Sequence, residues 1–342
     1  MIDVVIPNWN GREMLKTCLD SLANQTFKKF RIIVVDNGST DGSVEYISSN
    51  YPEVRIVSLP DNRGFSYAVN QGILNTSGEW IFLLNNDVEV DSDCLTVVAK
   101  ACVEDHNFDF FALKMINFHD RTMLDGAGDA VLRGGVGYRL GTLEKDNARY
   151  GVRREVFGAC AGAAVYRKSL FAHIGMFDKD FFAYLEDVDF NLRAARFGSR
   201  CRFLPDAKVF HIGSATSGSK INSFTVELST RNNICVILKN YDLKMFFRFL
   251  PAIVVYQLAW LLLVLKKGQF MAYCRGLIKS IGIVKKMAAR GKLIKTEGKL
   301  SSKELASRII AAERQAVESI MERRLQQGKD NALLKLYLRI FC

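Results

Sequence analysis

Residues 80–87, "WIFLLNND", pass from a buried-strand pattern straight into two amides and a carboxylate. An apolar run such as Trp80 to Leu84 belongs in the middle of a sheet, and Asn85, Asn86 and Asp87 stand at its end. A polar turn closed by an Asx bond is one reading of that tripeptide. The other is chemical: a single carboxylate there can hold a hard divalent cation when a diphosphate and a second protein ligand fill the rest of the shell. Two more places carry useful groups. "YLEDVDF" sets Glu186, Asp187 and Asp189 at the head of a helical pattern. The helix dipole alone favours acidic residues there. A carboxylate so placed can also accept a hydroxyl proton, because an unperturbed Asp, with a pKa of about 3.9, is ionised at neutral pH. His211, in "KVFHIGS", follows a short strand. A solitary histidine is more often structural than a ligand, and His106, His119 and His173 lie in no motif.

These groups need a scaffold that brings them together. "DVVIPNW" (3–9) and "FRIIVVDNGS" (30–39) are short β-branched runs, and between them Met14, Leu15, Cys18, Leu19 and Leu22 recur at helical spacing. That is a βαβ unit. "VRIVSLP" (54–60), a helix near 66–76 and "EWIFLLNND" extend it into a mostly parallel sheet, which binds ligands beyond the carboxyl ends of its strands. A polar cluster follows each of the four strands: Asn8 to Gly11, "DNGSTDGS" (36–43), "DNRGFS" (61–66) and "NND". Converging, they can hydrogen-bond a ribose and base and admit close backbone approach at Gly38 and Gly64. No GxGxxG opens the first helix and no GxxxxGK[ST] occurs, so a dinucleotide site or a P-loop would lack its glycines.

Composition bounds the rest. With 342 residues, 49% hydrophobic and 24% charged, the chain can bury one large core plus an appendage. Its eight cysteines are scattered without a CxxC pair, which points to reduced thiols rather than zinc or disulfides. No leader pattern precedes the first strand, and a cytoplasmic protein is expected. The net charge of +11 is concentrated at one end: residues 266–342 hold 18 Lys and Arg against 6 Asp and Glu, leaving 29 against 30 elsewhere. Nine basic residues and no acidic one fall within 266–295, directly after the apolar stretch "FLPAIVVYQLAWLLLVL" (249–265). That pairing suits an anionic lipid surface better than nucleic acid. At 17 residues, with Pro251 and Gln257 inside it, the stretch is short for a span, which needs about 20 apolar residues. An interfacial tether is expected; a helical subdomain or subunit contact is the alternative.

Seven segments in order resemble the inverting family 2 glycosyltransferases of the GT-A fold, most closely their rhamnosyltransferase-like branch. They are "VVIPNWNG" (4–11), "IIVVDNGSTDGS" (32–43), "NRGFSYAVNQGI" (62–73), "FLLNNDV" (82–88), "GACAGAAVYRKSLF" (158–171), "FFAYLEDVDFNLRAARFG" (181–198) and "HIGSATSG" (211–218). The resemblance implies an α/β nucleotide-sugar-binding domain over 1–240, its mostly parallel sheet flanked by helices, with a helical, basic and amphipathic region over 241–342. It implies that Asp36 binds the nucleobase, with Pro7, Asn8, Asn10, Gly38, Asn62, Gly64, Asn85 and Asn86 around the nucleotide. Ala161, Gly162 and Ala163 would face the donor sugar and Arg231 the diphosphate. The usual DxD reads here as Asn85-Asn86-Asp87, one carboxylate fewer, and Asp87 and His211 would share Mn2+ or Mg2+. Asp187 would be the base, with Glu186 orienting acceptor hydroxyls. The implied reaction moves a sugar, best read as L-rhamnose from dTDP-L-rhamnose, onto a lipid-linked or surface-polysaccharide glycan at the inner face of the cell membrane. A nucleotidyltransferase and a catalytically silent sugar-nucleotide binder are the alternatives; "PNWNGRE" is poor in the basic, glycine-rich character the first needs, and the second should lack Asp87, Asp187 or His211.

Overall fold

The computed structural model describes residues 1–213 and 221–341, so 214–218 of the last segment lie outside the described residues. The chain divides into two compact units, one of Met1–Asp129, Gly141–Phe182 and Arg200–Thr216, the other of Ala130–Leu140, Ala183–Ser199 and Ser217–Cys342.

The first unit opens with β1 (Ile2–Asn8), α1 (Arg12–Ala23), β2 (Phe30–Asp36), α2 (Ser43–Asn50), β3 (Arg55–Ser58), α3 (Phe65–Leu74) and β4 (Trp80–Leu84), then β5 (Val88–Val90), α4 (Cys94–Glu104), β6 (Phe110–Asn117) and β7 (Leu124–Ala127). A hairpin of β8 (Asp129–Leu132) and β9 (Val136–Arg139) follows. The chain returns through β10 (Arg154–Val156), β11 (Ala163–Arg167) and α5 (Lys168–Ile174), passes through α6 (Glu186–Arg196), and completes the sheet with β12 (Cys201–His211). The sheet runs β10-β12-β6-β11-β4-β1-β2-β3, with β5 on β12 and β7 on β6. Along that path β3, β2, β1, β4, β6 and β12 run one way, while β10 and β11 oppose them. The mostly parallel sheet expected from the sequence is present. Helices cover both of its faces, which is why all of β4 and Ile2 to Ile6 of β1 are buried.

The second unit is built around α7 (Ser223–Asn240), followed by α8 (Leu243–Lys266), α9 (Phe270–Ile281), α10 (Val284–Glu297), α11 (Ser302–Gln326) and α12 (Ala332–Phe341). Asp189 of α6 is fully buried; its carboxylate accepts from Arg193 Nε at 2.9 Å, Lys239 Nζ at 2.8 Å and Asn240 Nδ2 at 3.0 Å. The buried Arg133 of the β8–β9 hairpin donates through Nε to Glu313 of α11 at 2.6 Å. The length argument made for 249–265 does not carry over, because Asp242 caps the helix earlier, its Oδ1 accepting from Met245 N at 2.8 Å, and α8 reaches 24 residues. Among the described residues it is the one helix long and apolar enough to cross a membrane. One face of it is engaged: Gln257 donates to Asn233 at 2.6 Å, Trp260 to Thr230 at 2.9 Å, and Met245, Phe249 and Ile253 are buried. The opposite face exposes Phe247, Leu250, Val254, Leu258, Leu262 and Leu265, a stripe at helical spacing.

Candidate active site

The parallel register sets Asn8 beside Asp36 and Asp36 beside Ser58, so the loops after β1, β2 and β3 leave from one edge. Their side chains are wired to one another. Asn8 Nδ2 donates to Asp36 Oδ1 at 3.2 Å, and its Oδ1 accepts from Asn86 Nδ2 at 2.8 Å, which links the ends of β1, β2 and β4. Asp36 Oδ2 accepts from Ser39 N at 3.0 Å; Asn10 Oδ1 accepts from Thr40 N at 2.8 Å. Asn62 Oδ1 accepts from Asn37 Nδ2 and from Gly64 N. Pro7 is half-buried, one residue inside this edge. Gly38 and Gly64 have φ of 76° and 84°, and a Cβ on either would lie 2.6 Å from Asp61 backbone or the Phe182 ring. The close approach each permits is therefore to the protein's own chain. Gly162 O accepts from Asn85 N at 2.8 Å, and Ala161 and Ala163 are buried on either side of it. These small residues leave room for the Asn85 side chain, 3.0 Å from where a Gly162 Cβ would stand.

Asp87 and His211 are brought together by a short antiparallel pairing, β5 on β12, in which His211 is the partner of Val88. His211 Nε2 lies 3.5 Å from Asp87 Oδ2, and its Nδ1 lies 2.7 Å from Asp125 Oδ2 of β7. Burial works against the imidazolium, but Asp125 and Asp87 outweigh it, and the pKa rises to about 9. Asp87 Oδ1 is buried without a hydrogen-bond partner. The orphaned carboxylate oxygen and His211 Nε2, once an ion displaces the Nε2 proton, make an O,N donor pair that fits Mn2+ or Mg2+, with the imidazole favouring Mn2+. Asp125 escaped the sequence reading, since nothing in "MLDGAG" distinguishes a structural aspartate from one aimed at a histidine 86 residues away.

In the second unit, Glu186 is buried, and its Oε2 has no hydrogen-bond partner. Burial, and then the Asp187 charge, push its carboxyl well above the usual range. Asp187 is half-buried, with Oδ1 accepting from Val188 N at 2.8 Å. Asp189, by contrast, is an ion-pair residue: its burial penalty is outweighed by Arg193 and Lys239, and its pKa falls to about 2. Arg231 on α7 donates through Nε to Asn232 Oδ1 at 2.9 Å.

The glycosyl transferase family 2 profile matches residues 3–175, half of the chain. The chain belongs to glycosyl transferase family 2. This family 2 chain is similar to the N-acetylglucosaminyl-diphospho-decaprenol L-rhamnosyltransferase of Mycobacterium tuberculosis, with 25% identity over 240 residues, 64% of this chain and 78% of that protein. The uncharacterized glycosyltransferase YibD of Escherichia coli is 36% identical over 107 residues, 30% of this chain and under a third, 31%, of that relative's length. Among solved structures, GalNAc-T7 with UDP, GalNAc and Mn2+ superposes with a TM-score of 0.59 at 16% identity, over 73% of this chain and 49% of that one. At that identity the likeness is one of fold, the GT-A fold. The family match covers the nucleotide-side residues through Ala163 and Asp87; Glu186, Asp187, His211 and Arg231 lie beyond it.

Proposed function

We propose that this family 2 glycosyltransferase transfers a sugar with inversion from a nucleoside diphosphate donor to a hydroxyl of a glycan. The observation that carries the reading is the wired edge at the ends of β1, β2 and β4, with an unshared Asp87 oxygen next to His211. Asp36 and Asn8 offer the acceptor and donor groups a base and ribose need, and Asn62, Asn85 and Asn86 extend the polar wall. Gly162 borders the Asn85 side chain, and with Ala161 and Ala163 it would face the donor sugar. Asp87 and His211 would hold Mn2+ or Mg2+, which when bound supplies positive charge for the departing diphosphate. Asp125 fixes the imidazole so that Nε2 is turned towards Asp87.

Asp187 takes the proton from the attacking hydroxyl, in a single displacement at the anomeric carbon that needs no covalent sugar–enzyme intermediate. Glu186, whose carboxyl burial and the Asp187 charge shift upward, orients acceptor hydroxyls. The name of the Mycobacterium tuberculosis relative supports L-rhamnose, from dTDP-L-rhamnose, as donor sugar and a lipid-linked glycan as acceptor. A lipid-linked acceptor gives meaning to the exposed α8 stripe and the basic run after it, and the enzyme is read as peripheral to the inner face of the cytoplasmic membrane. The test is incubation of the purified protein with dTDP-L-rhamnose, UDP- and GDP-sugars and Mn2+, reading thermal shift, donor consumption and the anomeric configuration of the product. Binding without turnover, given a lipid-linked acceptor, would favour the silent binder. Retained configuration would remove the single displacement.

A further inference from the structure

Helix α6 starts from an unusual place. Tyr184 and Leu185, the two residues before Glu186, have φ of 69° and 64°, and neither is glycine. Left-handed backbone at a non-glycine residue costs on the order of 1–3 kcal/mol and persists only where surrounding contacts over-determine it. One side chain supplies two of those contacts. Asn232 of α7, fully buried, donates from Nδ2 to Ala183 O at 2.9 Å and to Tyr184 O at 2.7 Å, the two successive carbonyls that lead into the turn. Its own Oδ1 accepts from Arg231 Nε at 2.9 Å, which fixes which way the amide faces. With the turn so held, Leu185 O accepts the Asp189 N–H at 3.0 Å and the helix begins with Glu186 and Asp187 in its first turn.

We infer that Asn232 is a positioning residue for transfer: its amide clamps the left-handed turn that presents the Glu186–Asp187 pair, and Arg231 acts by orienting that amide. The inference rests on the reading of Asp187 as base. It changes what "RNN" means, from a cation for the diphosphate to a device that aims a carboxylate held three residues beyond the last clamped carbonyl.

Asn232→Ala should lower kcat by roughly 100-fold, the scale of a catalytic group misplaced by about 1 Å, while donor KM stays within about twofold. Arg231→Lys keeps a cation but loses the Nε–H, so kcat should fall by about tenfold at unchanged donor KM; it serves equally if Asn232→Ala does not fold. Combined with Asp187→Asn, Asn232→Ala should cost nothing further, because both act through one group. Full kcat in Asn232→Ala beside an inactive Asp187→Asn overturns the positioning role alone. So does a raised donor KM in Arg231→Lys, or an additive loss in the double variant. Turnover surviving in Asp187→Asn overturns the base itself, and the inference with it.

Discussion

Three carboxylates in one turn of α6 have three fates, and burial and partners decide which. Asp189 has three donors and is ionised down to about pH 2, Glu186 is buried beside a like charge and resists ionisation, and Asp187 keeps a half-buried carboxylate. The last is the carboxylate the proposed reaction uses as its base. Asp187→Asn is expected to lower kcat by two to four orders of magnitude, about 3 to 5 kcal/mol of barrier, with donor binding nearly unchanged in calorimetry; a variant that keeps most of its turnover means the base lies elsewhere. At the other pole of the reaction, Asp87→Ala and His211→Ala should each raise the Mn2+ concentration needed for half-maximal rate. Asp125→Asn should do so by about 10- to 100-fold, since it loosens the ligand rather than removing it. Wild-type activity undiminished in EDTA would sink the shared-ion reading and make Arg231 the leading candidate for diphosphate charge. Asp87, Asp187 and His211 stand out in the sequence by chemistry and context. Asp125 and Asn232 do not, because each matters through a partner that only strand pairing or helix packing supplies.

At the scale of elements, the α6–α7 junction depends on one buried network. Removing its anion while leaving Arg193 and Lys239 in place should be severe: Asp189→Asn is expected to lose about 3 to 5 kcal/mol in urea unfolding, the cost of uncompensated buried charge. The pH sign follows from the depressed pKa. A carboxyl near 2 when folded and about 3.9 when unfolded adds stability above pH 4 that disappears as pH falls through 2, worth about 2 to 3 kcal/mol. The Asn variant should lack that acid limb, and a wild-type stability flat from pH 5 to 2 would contradict it. Strand and helix periodicity made β1 to β4 and α1 readable, since each carries its own pattern. The β8–β9 hairpin and the β5–β12 pairing were not readable; three- and four-residue strands carry too little alternation, and their partners lie far along the chain.

For the whole molecule, the sharpest feature is the two-faced α8. Its hooked face belongs to the second unit, so truncation before it would expose a core; substitution on the open face is the cleaner probe. Leu258→Ser with Leu262→Ser removes two side chains that are 56% and 66% exposed, and should leave thermal stability within a few degrees. Flotation with anionic vesicles should fall, and wild-type flotation should weaken in high salt, because the basic residues contribute about 1 kcal/mol each only near a charged surface. Wild type that never floats would make this face a subunit contact, with a concentration-dependent mass in solution.

The Arg133–Glu313 pair joins residues 180 apart in the chain, and it lies in a unit assembled from three separated stretches of sequence. A ribosome adding about 5–20 residues per second emits Arg133 some tens of seconds at most before Glu313 exists to receive it. During that interval the hairpin and α6 are nascent chain without their helical bed, and non-local closure of this kind is slow compared with local helix formation. The carboxylate pair on α6 therefore takes its final form only after most of the polypeptide has been made. Nascent chains arrested before residue 313 should be cut by protease at 130–140 and 183–199 while β1 to β4 already resist.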